Sequence, residues 1–331
     1  MQSEPDPGDP RACAARGWAT RLLGLTDDAD FAPASADASF RRYFRLRDPR
    51  GERSWIIMDA PPEQENCEPF VRIAARLADA GLNVPRVLEQ DSAQGFLLLS
   101  DLGRQTYLQV LDDGNADALF ADAIDALVRM QGTVAVSDLP AYDTALLQRE
   151  LDLFPDGFVQ RHLQLRWTDH QAAKWRQVCA QLIESALAQP QVFVHRDFMP
   201  RNLMCSLPNP GLLDFQDAVC GPVTYDVACL FKDAFLSWPQ HRIDTWLARY
   251  ADAARHAGIG LPPDFDRALD WMGLQRHLKV LGIFARIHHR DGKPQYLADA
   301  PRFIGYVRAA CARHPQMQPL RELFDTLGLQ A

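Results

Sequence analysis

Three side chains of the kind that move phosphoryl groups lie within one short stretch of sequence. The segment Val192-Phe193-Val194-His195-Arg196-Asp197-Phe198-Met199-Pro200-Arg201-Asn202-Leu203-Met204 reads as a strand, a polar loop and a second strand. His195, Arg196, Asp197 and Asn202 have the spacing H-R-D-x-x-x-x-N. Phosphoryl transfer to an alcohol needs a carboxylate to orient the hydroxyl and take its proton, and metal ions to neutralise the phosphates. Asp197 suits the first task. The Asn202 amide oxygen and the Asp214 carboxylate, which ends the apolar run Gly211-Leu212-Leu213, suit Mg²⁺, a cation that takes oxygen ligands. Each element alone has a plainer explanation, His195 as a core histidine bonded to backbone and Asp214 as the cap of a strand. In this order and between apolar runs they specify catalytic Asp197 with metal-binding Asn202 and Asp214.

Positioning such a set takes two lobes, and a chain of 331 residues exceeds the usual span of one core. The Pro-rich start reads as a frayed tail, followed by an amphipathic helix over 11–23. Runs 39–47 and 54–59 flank the turn-forming Asp48-Pro49-Arg50-Gly51 and predict a hairpin. A helix then ends at Gly81, and 85–90 and 95–99 read as strands. Beyond Ala116 the pattern turns helical, at 117–130, 144–163 and 169–187, with short strands at 192–194, 203–205 and 211–213. Helices resume at 224–234, 240–256, 264–287 and 300–312. The reading is an α+β, bilobal chain: a sheet-bearing N-lobe over 1–99, a hinge at 100–103 and a helical C-lobe over 104–331.

Composition narrows the partners. Lys and Arg number 35 against 43 Asp and Glu, a formal charge of −8 that disfavours a nucleic-acid binder. The seven cysteines are scattered without metal-ligand spacing and read as reduced thiols. Met1 to Pro10 is acidic and proline-bearing, unlike a secretory signal, and no apolar run is long enough to span a bilayer. A cytoplasmic protein with a small-molecule substrate, no nucleic acid and no membrane is expected; no protein partner can be inferred.

The segment after Asp214 gives a more specific resemblance. Asp214-Phe215-Gln216-Asp217-Ala218-Val219-Cys220-Gly221-Pro222-Val223-Thr224-Tyr225-Asp226 brings a Gly-Pro and a Tyr-Asp soon after the metal-binding Asp, without the Ala-Pro-Glu that ends a protein-kinase activation segment. It resembles the aminoglycoside phosphotransferase and choline-kinase branch of the protein-kinase-like superfamily. The resemblance implies a bilobal kinase-like fold, with ATP and Mg²⁺ in a cleft. It also implies structural support of the catalytic loop by His195 and Asp226. Three stretches, 36–45, 57–63 and 275–286, are similar to a narrower group, the kinases that phosphorylate N-acetylmuramate and N-acetylglucosamine at the anomeric hydroxyl in peptidoglycan recycling. The alternatives are another small-molecule hydroxyl kinase of this superfamily, acting on aminoglycosides or choline, or a non-catalytic pseudokinase.

The N-lobe departs from the kinase pattern. A protein kinase has a Gly-rich hairpin over the phosphates and a third-strand lysine paired with a helix glutamate. Here the hairpin lacks glycine and Met58 stands about where the lysine belongs. Either Arg41, Arg42 or Arg45 supplies the charge, with Arg42 preferred and Glu65 or Glu68 as possible acidic partners, or nucleotide binding is weak. At the hinge, the resemblance implies that main-chain atoms of Ser100 and Leu102 hold the adenine edge. Between Leu274 and Arg308 the chain carries Arg276, Lys279, Arg286, Arg290, Lys293, Arg302 and Arg308 against Asp291 and Asp299. That basic stripe suits an anionic sugar, with Arg276, Arg286 and His289 as candidate substrate-binding residues.

Overall fold

The computed structural model describes residues 9–26, 28–36, 40–51, 53–232 and 235–330. The expected frayed tail over residues 1–8, Ser39 at the head of the first expected strand, and residues 233–234 at the end of an expected helix lie outside these. In chain order the elements begin with α1 (Pro10–Leu23), β1 (Asp30–Ala36), β2 (Arg42–Arg47), β3 (Ser54–Asp59), α2 (Glu68–Asp79), β4 (Val87–Asp91), β5 (Phe96–Ser100) and the short α3 (Tyr107–Val110). There follow α4 (Ala116–Thr133), α5 (Thr144–Leu151), a π-helical segment (Phe154–His162), α6 (Asp169–Leu187), β6 (Gln191–Val194), β7 (Leu203–Met204), β8 (Gly211–Leu212) and β9 (Val219–Pro222). The remainder is α7 (Tyr225–Phe231), α8 (Gln240–His256), α9 (Phe265–Asp291), α10 (Ala300–Arg313) and α11 (Gln318–Thr326).

The chain forms two compact units, one of residues 1–107 with 203–217, the other of 108–202 with 218–331. The first is built on an antiparallel sheet of order β1-β2-β3-β5-β4. Asp9 caps α1 by accepting from the amides of Arg11 and Ala12, and Gly24 closes it in the left-handed conformation at φ 64°. Ala12, Ala15, Trp18 and Ala19 of α1 bury against Phe44, Leu46, Ile57, Phe96 and Leu98 of the sheet. Strand β1 is not legible in the sequence because Pro33 interrupts it. An edge strand tolerates that residue, and the register shifts between Pro33 and Ser35. The same unit holds the β7–β8 ladder, where the Leu212 amide donates a hydrogen bond of 2.7 Å to the Asn83 carbonyl.

The second unit is helical, with β6 and β9 as an antiparallel pair. Its expected helix over 144–163 is divided into α5 and the π-helical Phe154–His162. Pro155 removes an amide donor at that point, and the backbone rewinds with Gly157 against α9. A Cβ on Gly157 would lie 2.7 Å from the Gly282 carbonyl oxygen, and one on Gly282 would lie 2.2 Å from that of Leu153. Only glycines let these two backbones touch. Strand β9 is likewise hidden in the sequence, since Gly221 and Pro222 look like a loop; a Cβ on Gly221 would sit 3.0 Å from that of Tyr142. Among the described residues no helix is long and apolar enough to cross a membrane.

Candidate active site

In the helical unit, β6 delivers the chain into a loop held from behind by its own peptide groups. Asp226, fully buried near the start of α7, accepts the His195 amide at 2.7 Å and the Arg196 amide at 3.0 Å. Burial pushes its carboxyl up to about 7, while those two N–H groups pull the other way. Arg196 has φ 77°, a left-handed conformation that costs a non-glycine residue about 1–3 kcal/mol and persists only where neighbours enforce it. Past it, the Asp197 amide donates to His195 Nδ1 at 3.3 Å, and the Asp197 carbonyl accepts from the Met199 amide at 3.0 Å. Asn202 closes the turn: its amide donates to the Met199 carbonyl at 2.8 Å and its Nδ2 to the Asp197 carbonyl at 2.9 Å. With Nδ2 turned inward, the side-chain oxygen is the end that a hard cation would use. The structure thus brings together His195, Asp197, Asn202 and Asp226, with Asp197 half-buried.

Beneath this loop lies a charged cluster that sequence reading missed. Glu150 of α5 accepts from Arg196 Nη2 at 2.5 Å, Lys279 Nζ at 2.8 Å and Gln275 Nε2 at 3.1 Å, and also from the Tyr142 hydroxyl. Burial alone would raise its carboxyl, but Lys279 and Arg196 outweigh that and bring it to about 2. Lys279 also donates to the Tyr225 hydroxyl at 3.1 Å, and burial of its ammonium is offset by that oxygen and by Glu150. One signal was available: Gln275 and Lys279 are four residues apart and so share a helix face that is otherwise apolar.

The three candidates for the acceptor wall take different places along α9. Arg276 is interior, 6% exposed, with its guanidinium 5.3 Å from the Tyr225 ring centroid. Arg286 and His289 are exposed, and His289 lies 5.6 Å from His162 and 4.6 Å from His288 between ring centroids. The basic stripe is far less open than its letters suggest. Lys279 is held by Glu150, Arg290 by Asp291, Arg302 by Asp299 and Arg308 by Asp325, so much of its charge is met locally.

In the sheet unit, Asp214 follows β8 with φ 65° and accepts from Gln216 Nε2 at 2.7 Å. Phe215 beside it packs on Phe70 of α2 at 4.9 Å between centroids. The preferred phosphate cation, Arg42, has another occupation. Its Nε and Nη2 donate to Asp59 at 3.0 and 2.5 Å, and it also binds Asp9, the cap of α1. Asp59 takes Arg11 as well, at 2.9 Å through Nε. Arg45 grips Asp101 in a fork of 2.6 and 2.9 Å, and Asp101 also accepts from Ser54 Oγ at 2.7 Å. Arg41 pairs with Glu65 at 3.2 Å. Of the hinge residues, Ser100 has its amide committed to the Arg86 carbonyl at 2.9 Å and its hydroxyl to the Arg86 amide at 2.8 Å. Leu102 packs towards β8, where a Cβ on Gly211 would lie 2.9 Å from its Cδ1.

Comparison with known proteins agrees with this architecture. The N-acetylmuramate/N-acetylglucosamine kinase of Pseudomonas aeruginosa is 58% identical over 321 residues, 96% of this chain and 93% of that one. The protein of the same name from Neisseria meningitidis is 43% identical, with 91% of each chain covered. Among solved structures, choline kinase LicA from Streptococcus pneumoniae superposes with a TM-score of 0.63 at 12% identity, over 90% of this chain and 98% of that one, a likeness of fold. The model of the phosphotransferase enzyme family, APH, matches residues 30–271, a span that holds the loop from His195 to Asn202, Asp214 and Asp226, and the chain belongs to that family.

Proposed function

We propose that the protein transfers the γ-phosphoryl group of ATP to the anomeric hydroxyl of N-acetylmuramate or N-acetylglucosamine, giving the sugar 1-phosphate and ADP in the recycling of cell-wall amino sugars. The observation that carries this reading is the 58% identity, across nearly the whole of both chains, to a kinase named for those two sugars. The catalytic loop supports it. Asp197 orients the sugar hydroxyl and accepts its proton, from a backbone fixed on both sides by Asp226 and Asn202. Asn202 and Asp214 offer the oxygen ligands that Mg²⁺ prefers, and two protein ligands suffice for a cation that keeps water and phosphate oxygens. Bound there, magnesium would neutralise phosphate charge. At the hinge, main-chain atoms of Ser100 and Leu102 hold the adenine edge; the Ser100 amide, bonded to the Arg86 carbonyl, is not among them. A cytoplasmic location follows from the use of ATP.

N-acetylmuramate differs from N-acetylglucosamine by a lactyl carboxylate, so an arginine that binds it separates the two. For Arg286→Ala we expect the KM for N-acetylmuramate to rise about threefold with that for N-acetylglucosamine unmoved. Equal KM values in variant and parent would remove Arg286 from the site. The whole reading is tested by incubating the protein with ATP and Mg²⁺ and either sugar, choline or an aminoglycoside, and identifying the product by phosphorus NMR. A sugar 1-phosphate is expected. Transfer only to choline or the antibiotic would replace the acceptor, and absence of ATP turnover with all of them would make the chain a pseudokinase.

A further inference from the structure

The loop from His195 to Asn202 carries two arginines, and only one of them is tied into the interior. Arg196 is bound to Glu150 beneath the loop at 2.5 Å. Arg201 is exposed, and among the described residues its guanidinium meets the ring of Phe235, 5.2 Å from the centroid, and no carboxylate. We propose that Arg201, laid on the Phe235 ring, binds the lactyl carboxylate of N-acetylmuramate while Asp197 holds the anomeric hydroxyl. The inference deepens the proposed function and rests on it, since the acceptor must be a sugar that can bear that carboxylate.

Position within the loop gives Arg201 its reach. The Asp197 carbonyl accepts from the Met199 amide at 3.0 Å and from Asn202 Nδ2 at 2.9 Å, so the chain turns back on itself. Four residues that would span about 14 Å if extended are folded into a turn, and Arg201 starts far nearer to Asp197 than that. Pro200, Arg201 and Asn202 form a single 3₁₀ turn. At three residues per turn, neighbouring side chains leave it about 120° apart. Arg201 therefore departs on a different side from Asn202, the proposed magnesium ligand, which separates it from the metal side of the loop. Phe235, past the end of α7, belongs with Asp197 and Arg201 to the helical unit. A guanidinium over an aromatic ring is held through its flat face, and its N–H groups, which lie in the plane, stay available for a bidentate carboxylate. The lactyl carboxylate is six bonds from the anomeric oxygen, about 5–7 Å through space, a separation that a side chain of arginine's length can span. N-acetylglucosamine has a neutral hydroxyl at that ring position, so the fork has no anion to meet. Arg286 belongs to α9, and its contribution is measured separately.

The test is steady-state kinetics with N-acetylmuramate and N-acetylglucosamine for the parent, Arg201→Gln, Arg201→Lys and Phe235→Leu, read as the ratio of kcat/KM for the first sugar to that for the second. Arg201→Gln should lower the ratio about tenfold, through the KM for N-acetylmuramate rather than kcat. Arg201→Lys keeps the charge and loses the fork, so its ratio should fall about threefold. Phe235→Leu frees the arm without removing it and should lower the ratio about twofold. A ratio in Arg201→Gln equal to the parent's would overturn the assignment. So would an equal fall in kcat for both sugars, which would place Arg201 at the transferred phosphoryl group, or an equal rise in both KM values. A ratio that holds in Phe235→Leu would overturn the part given to the ring. A parent that phosphorylates N-acetylglucosamine alone would sink this inference and leave the sugar kinase standing, whereas one that phosphorylates neither sugar would sink both. Should Arg201→Gln fail to fold, Arg201→Lys decides: a lowered ratio upholds the assignment, and one equal to the parent's overturns it.

Discussion

Each unit contains a deeply buried carboxylate gripped by two cations, Asp59 in the one and Glu150 in the other, and the two arrangements differ in what they hold. Asp59 takes Arg11 and Arg42, whose side chains are 35% and 39% exposed, and ties α1 to the sheet. Glu150 takes Arg196 and Lys279, at 20% and 15%, with a tyrosine and a glutamine filling its remaining lone pairs. The first pair of cations can turn to water if the acid is removed, whereas the second is left stranded in a low-dielectric interior. The first fastens one element to another. The second fixes the residue immediately before Asp197 in a backbone conformation it would not choose alone. A buried ion pair therefore joins two elements in one place and holds the backbone beside Asp197 in the other.

Substitutions can separate these roles. The largest effect is expected for Asp197→Asn, where kcat should fall by about a thousandfold with a nearly unchanged unfolding midpoint, since the proton acceptor alone is lost. Near-normal turnover would remove Asp197 as the base. Glu150→Gln should lower both stability, by about 3–5 kcal/mol in denaturant titration, and kcat, with KM for ATP little changed. If stability falls with kcat intact, the cluster supports the fold alone and the contrast with Asp59 disappears.

The acid side of the stability curve checks the same residue. With its carboxyl brought from 4.5 to about 2, Glu150 contributes stability that is fully present above pH 4.5 and lost as pH falls through about 2. The linked amount is on the order of 3 kcal/mol, and Glu150→Gln should flatten that limb. The smallest effect is expected for Asp59→Asn, about 2 kcal/mol of stability with kcat unchanged in the folded protein. A large loss of kcat there would mean that the α1 tie reaches the reaction.

The proposed catalytic loop is readable because its residues are contiguous: His195, Asp197 and Asn202 fall within eight residues, and the roles proposed for them follow from type and spacing. The hairpin of β2 and β3 is readable from its turn residues, and α6 from its ends, where Thr168 and Gln171 form a capping box. The Glu150 cluster is not, because its members come from positions 142, 150, 196, 275 and 279, and only folding makes them neighbours. The basic stripe misleads for the same reason. A charge count along one segment cannot include Glu150 or Asp325, which neutralise part of it from elsewhere in the chain. Sequence cannot place the hairpin arginines either, because alternation shows that neighbours face apart but not which way either faces.

The contact of Gly157 and Gly282 acts as a depth gauge for α9. Two backbones that touch without side chains between them leave the long helix no freedom to slide or roll, because any shift drives a carbonyl into a neighbour. Lys279 lies three residues before Gly282, roughly 4.5 Å along the axis, so the stop fixes how far its ammonium reaches towards Glu150. A single methyl added at either glycine would lengthen that gauge. The error would be read out at the loop that carries Asp197, in a part of the molecule that neither glycine touches.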